Sequence, residues 1–343
     1  MKKRWKRAPV VGSRYGERHD GSPLAPTCCF AFGPWFSGCL PLQSGALELA
    51  APGRLEPIQV LTPTGSEPQS DSALTQSSAT GPLRLGWSPW ADAEVMSLIA
   101  QRVIQQAYNL PVERVMADIG IQYASVARGD LDLMLMAWLP LTHKDYWTRV
   151  RDRVLDFGSM YSGRLGWVVP DYVDASEVRS ITDLQNPEVA ARFQNRVQGI
   201  DPGSGLNQAS EQALVDYKLG DMRLVASSSA AMTAVLDKAI RERRWVVVTS
   251  WTPHWMFARY KLRFLEDPQL VFGGVEWIHA LGRQGLDREY PALTAFLSRF
   301  QIPDRDLSDV LLMANERSAE EAVDNYLNRH PARIRYWTTG MIN

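Results

Sequence analysis

The chain has 343 residues, 37 basic and 38 acidic side chains for a formal charge of −1, and 45% hydrophobic residues. The length and apolar content suffice for about two domains, and the charge balance excludes an electrostatic footprint for nucleic acid. The three cysteines, Cys28, Cys29 and Cys39, precede the expected folded region, and the five histidines lack close ligand spacing. Neither a disulfide, a thiolate metal site nor a zinc site is expected there, and no cofactor.

Residues 1–51 read as an export signal or lipoprotein leader. A basic head, MKKRWKR, precedes the apolar run 24-LAPTCCFAFGPWFSGCL-40. Residues 8–23 intervene and Pro26 and Pro34 interrupt the run, as a start placed upstream of the true one would produce. The tetrapeptide 36-FSGC-39 resembles a lipoprotein cleavage box, with Cys39 as the lipidated residue; cleavage near Ala50-Ala51 and no processing are the alternatives. No run reaches the roughly 18 apolar residues of a spanning helix. Residues 52–81 are rich in Pro, Ser, Thr, Gln and Gly without periodicity, which predicts a disordered tether. Together these features predict a periplasmic or membrane-anchored extracytoplasmic domain.

From residue 82 strand-like and helix-like runs alternate. Leu83–Gly86 is a predicted strand, and Asp92–Tyr108 an amphipathic helix with Val95, Leu98, Ile99, Val103 and Ile104 on one face. Strands follow at Val112–Asp118, at Leu131–Trp138, which is apolar enough to be buried on both faces, and at Arg164–Val169; a helix lies at Ile121–Arg128. The later strands are Val197–Ile200, Leu224–Ala226 and Trp245–Ser250, with helices at 205–217, 230–240 and 255–260. Such alternation predicts an α/β fold with a mostly parallel sheet in each half.

Three strand-like runs end in the same pattern: Trp87-Ser88-Pro89, Trp138-Leu139-Pro140 and Trp251-Thr252-Pro253. A proline denies the sheet a donor and holds the preceding residue extended, so the chain leaves the sheet at the ring. Ligands of open α/β sheets bind beyond the carboxyl ends of the strands. The pattern therefore mounts aromatic faces on a crevice; the plainer reading is that the rings cap each core. In 197-VQGIDPGSGLNQASEQAL-214 a strand enters a glycine turn and then a helix, where free N–H groups can take a small anion. The loop lacks the lysine and spacing of a P-loop.

The segments 137-AWLPLTHKDYW-147, 199-GIDPGSGL-206, 229-SAAMTAVLDKAI-240 and 251-WTPHWMFARYKLRFLEDP-268 resemble the glycine betaine-binding components of ABC transporters, over about residues 82–338. The resemblance implies a two-lobed, type II periplasmic-binding-protein-like fold that closes on a quaternary ammonium ligand and delivers it to a membrane permease with its ATPase. It implies lobe 1 at 82–168 with 275–343, and lobe 2 at 169–274. It also implies a box of three tryptophans, with Trp138 and Trp251 as two walls. Trp90 is the chosen third wall and Trp87 its alternative. The N–H groups of Gly205 and Leu206 and the imidazole of His143 would take the carboxylate, and a protonated His143 would repel a ligand with a cation alone.

The chemistry agrees with that assignment. A quaternary ammonium has no N–H to donate, so aromatic faces select it through cation–π attraction, while a carboxylate needs donors. A sensor with the same pocket is the alternative. A hydrolase of a choline derivative would need Ser204 or Ser227–Ser229 with His143 or His254, and no nucleophile elbow is present.

Overall fold

The computed structural model describes residues 81–342. The expected leader with Cys39, and the tether apart from its last residue, lie outside the described residues.

Among the described residues nine strands are formed: β1 Leu83–Trp87, β2 Val112–Met116, β3 Leu133–Leu139, β4 Val154–Pro170, β5 Arg196–Gln198, β6 Arg223–Val225, β7 Val248–Thr252, β8 Leu262–Phe264 and β9 Glu276–Arg283. The spatial order is β2-β1-β3-β9-β4-β7-β5-β6, with β8 on β4. Parallel pairs occupy the two wings, β2-β1-β3 in one and β6-β5-β7 in the other. Antiparallel β9 and β4 join them. This is the two-lobed architecture that the alternating runs predict.

β4 is the structural link between the lobes. Its first part, Val154–Gly163, pairs with β9; from Arg164 onward it pairs with β7 and then β8. Only the apolar end of this 17-residue strand, Arg164–Val169, is legible as a strand in the sequence. Gly158, at φ 94°, and register shifts between Asp156 and Tyr161 break the alternation that marks a strand. β9 was not anticipated at all.

Helices follow the strands at α1 Ala91–Tyr108, α2 Ile119–Arg128, α3 Lys144–Val150, α4 Pro187–Arg192, α5 Gly205–Asp216, α6 Ser229–Arg241 and α7 Met256–Arg259. The chain ends in α8 Leu286–Glu289, α9 Pro291–Leu297, α10 Asp304–Glu316, α11 Ala319–Arg329 and α12 Pro331–Thr339. α1 buries Val95, Leu98, Ile99, Val103 and Ile104, the predicted face, and stops where Asn109 turns left-handed at φ 53°. α10 and α11 pack on it. β3 is buried along its whole length, as a strand between β1 and β9 must be. No helix among the described residues is long and apolar enough to cross a membrane.

Candidate functional site

Trp138 stands near the end of β3 and Trp251 near the end of β7. Both strands terminate at a proline that follows a cis peptide bond, Leu139-Pro140 and Thr252-Pro253. The Trp138 ring lies against β4 at Gly163. A Cβ there would approach the Trp138 Cη2 atom and the Thr252 carbonyl to 2.5 Å each, so only glycine leaves room for the indole. The indole N–H of Trp138 donates to the Met136 sulfur at 3.4 Å. That of Trp251 donates to Asp92 Oδ1 at 3.0 Å.

Trp90 precedes α1 and is buried, with its indole N–H donating to Asp201 Oδ2 at 2.9 Å. Trp87 sits elsewhere. It is the last residue of β1, paired with Met116, and its ring carries the Arg114 guanidinium 5.0 Å from the centroid. It does not line the cavity that Trp90 lines.

His143 caps the loop between β3 and α3 and is 1% exposed. Its Nδ1 accepts the Trp138 backbone N–H at 3.0 Å, which leaves the ring proton on Nε2. Burial holds its pKa down to about 3, against a weaker opposing pull from the Met136 backbone. The expectation of a protonated His143 is therefore corrected: the ring is a neutral donor at pH 7. Glu276 fixes the preceding loop by accepting from the Leu141 and Thr142 N–H groups at 2.8 and 2.9 Å and from the Thr142 hydroxyl.

Across from His143, Ser204 starts α5 and its hydroxyl accepts from Asn207 N–H at 3.1 Å. The N–H groups of Gly205 and Leu206, in the first turn, have no partner among the described residues. Gly205 is pressed by the loop between β3 and α3. A Cβ there would come within 2.3 Å of Thr142 Cγ2, 2.8 Å of the Thr142 carbonyl and 3.0 Å of His143 Cδ2.

The structure brings Trp90, Trp138, His143, Gly205, Leu206 and Trp251 around one small cavity, completed by Asp92, Thr142, Leu165, Ile200 and Ser204. The lining joins three indoles to the His143 ring and the N-terminus of α5. Indoles suit a cation without N–H groups, and a helix N-terminus beside an imidazole suits an anion. Asp92 was not singled out from the sequence. It is 1% exposed, accepts the Tyr161 hydroxyl at 2.9 Å as well as Trp251, and burial pushes its pKa up to about 6. His254, read as a turn-fixing residue, accepts the Met256 N–H on Nδ1 at 3.2 Å and meets the Trp251 ring edge-on at 4.6 Å. Burial lowers its pKa to about 3.

Residues 81–329 match the family model for the substrate binding domain of ABC-type glycine betaine transport systems. The chain belongs to this family. A glycine betaine/carnitine transport binding protein of Listeria monocytogenes is 40% identical over 148 residues, which is 42% of this chain and 49% of that protein. The match thus spans about half the length of that family member. The glycine betaine/proline betaine-binding periplasmic protein of Escherichia coli is 21% identical over 280 residues, 70% of this chain and 84% of that one. Among solved structures, lactococcal OpuAC in its closed conformation with glycine betaine is 34% identical. It superposes with a TM-score of 0.69 over 75% of this chain and 99% of its own.

Proposed function

We propose that this chain is an extracytoplasmic substrate-binding protein of an ABC transporter. It captures glycine betaine or a related quaternary-ammonium zwitterion and hands it to a permease that works with an ATPase. The observation that carries the reading is the composition of one cavity: three indoles together with two unpartnered helix N–H groups and a neutral imidazole. Trp90, Trp138 and Trp251 box the methylated ammonium, each ring contributing roughly 0.5–2 kcal/mol of cation–π attraction. Gly205 N–H, Leu206 N–H and His143 Nε2–H take the carboxylate, each hydrogen bond to the charged oxygen contributing roughly 1.5–3 kcal/mol.

The division into a first lobe at 82–168 with the C-terminal segment from 275, and a second lobe at 169–274, belongs to this proposal. The change of β4 partners at Gly163–Arg164 supports a division along this strand. Ligand contacts on both lobes favour the closed form by their differential affinity for it.

The protein is not an enzyme on this reading. A hydrolytic base needs a free lone pair toward the nucleophile, whereas the lone pair of His143 is taken up by Trp138 N–H, and the Ser204 hydroxyl is engaged as a helix cap. The test is calorimetry with glycine betaine, proline betaine, carnitine, choline and glycine. Tight binding of the methylated zwitterions and none of glycine supports the proposal; no binding of any of them by folded protein overturns it.

A further inference from the structure

The polar handles of two cage walls reach across the cleft in opposite directions. Trp90 follows β1 in one lobe and donates its indole N–H to Asp201, in the loop after β5 of the other lobe, at 2.9 Å. Trp251, on β7 of that other lobe, donates back to Asp92 in the first turn of α1, at 3.0 Å. Trp90 and Asp92 are two residues apart, so one turn both gives and receives. The third wall differs: the Trp138 N–H stays within its own strand, on Met136.

Asp92 is built to hold its position. One oxygen takes Trp251 and the other takes the Tyr161 hydroxyl at 2.9 Å, with the carboxylate fully buried. An indole has one N–H in the ring plane, so an acceptor fixed in space sets the ring's rotation as well as its location. A cation is drawn to the ring face only when that face is turned to it.

We propose that Asp92 and Asp201 are reciprocal positioning residues, each orienting a cage tryptophan contributed by the opposite lobe, so that two of the three walls reach their binding geometry only when the lobes meet. The inference rests on the proposed betaine-binding function and deepens it. Asp92 borders the cavity with both oxygens already engaged, and Asp201 does not line it, so the role assigned to each acts through an indole. The consequence is kinetic. Without the cross-lobe bonds a ligand still enters, and the walls around it hold less firmly, so the dissociation rate changes more than the association rate.

The experiment compares the full chain with Asp92→Ala, Asp92→Asn, Asp201→Ala and Asp201→Asn. Stopped-flow tryptophan fluorescence follows glycine betaine, and proton–nitrogen spectra follow the indole N–H signals. Each alanine variant should raise the dissociation rate by about tenfold or more and leave the association rate within about threefold. Each asparagine variant keeps an acceptor oxygen and should recover most of that loss. The Trp251 N–H should lose solvent protection in Asp92→Ala only, and the Trp90 N–H in Asp201→Ala only. Asp201 lies at the surface side of the loop, so its variants remain informative if Asp92→Ala fails to fold. Alanine variants that release ligand at the wild-type rate overturn the inference, as do asparagine variants as impaired as the alanines, which would assign the effect to charge. A folded wild type that binds no betaine defeats the functional reading instead; the selective loss of indole protection then decides the positioning role by itself.

Discussion

Gly205→Ala separates binding from folding. A methyl at this position would meet Thr142 Cγ2 at 2.3 Å, the Thr142 carbonyl at 2.8 Å and His143 Cδ2 at 3.0 Å, against ordinary contacts of 3.4 Å or more. The loop carrying Thr142 and His143 must then retreat from the α5 N-terminus by up to roughly 1 Å, enough to spoil a constellation that tolerates only roughly 0.5 Å. Losing one hydrogen bond to a carboxylate costs roughly 1.5–3 kcal/mol, a fall in affinity of about tenfold to 150-fold. Within α5 itself the substitution favours the helix by about 0.5–1 kcal/mol, since glycine is the poorer helix former. Calorimetry with glycine betaine should therefore show weak binding while the thermal midpoint holds or falls only slightly. A folded Gly205→Ala protein that binds within about twofold of wild type would refute the claim that the ligand sits between these two surfaces.

Trp138→Ala and Trp251→Ala should each weaken betaine binding by more than about tenfold in protein that still folds, and Trp90→Ala should do the same where Trp87→Ala does not; equal effects at 87 and 90 would remove Trp90 from the box. His143→Ala should weaken glycine betaine more than choline in competition calorimetry, because a neutral N–H donor serves a carboxylate and not a cation; equal losses would reassign the anion end. Stability should fall on acidification. His143 and His254, held at about 3 when folded, stay neutral while unfolded histidines protonate near 6.5, so stability is lost progressively as pH drops below that value. Asp92, raised to about 6, opposes this by taking up a proton in the folded state first. From pH 7 to pH 5 the histidines lose about 2 kcal/mol each and Asp92 returns about 1, a net fall of about 2–3 kcal/mol in urea melts of ligand-free protein; unchanged stability would contradict the burial of the two rings.

Much of this site was legible because strand ends and glycine turns are written locally. Trp138 and Trp251 are marked by the proline two residues on, and Gly205 by its place at a helix start. The choice between Trp87 and Trp90 was harder. The Trp-x-Pro pattern marks Trp87, but Pro89 lets the chain turn and bring the later ring to the cleft. Asp92, Asp201, Gly163 and Glu276 were missed as functional positions for a common reason. Asp92, Asp201 and Glu276 act on residues 111 to 159 positions away, Gly163 acts where β4 meets Trp138 and Thr252, and no local period carries that information. Asp92 reads simply as an acidic residue in a helix's first turn. The signals of α10 and α11 were present and unread: Leu307, Val310 and Leu311, then Ala319, Ala322, Val323 and Tyr326, follow helical spacing and are buried. β9 carries a weaker signal, since Trp277 and His279 occupy its open face.

The most direct test of the betaine cage is a crystal structure of the chain grown with glycine betaine. The trimethylammonium group should lie between the Trp90, Trp138 and Trp251 faces, with carboxylate oxygens ~2.7–3.1 Å from Gly205 N, Leu206 N and His143 Nε2. A ligand bound outside this cavity, or one turned so that its carboxylate lies among the indoles, would contradict it.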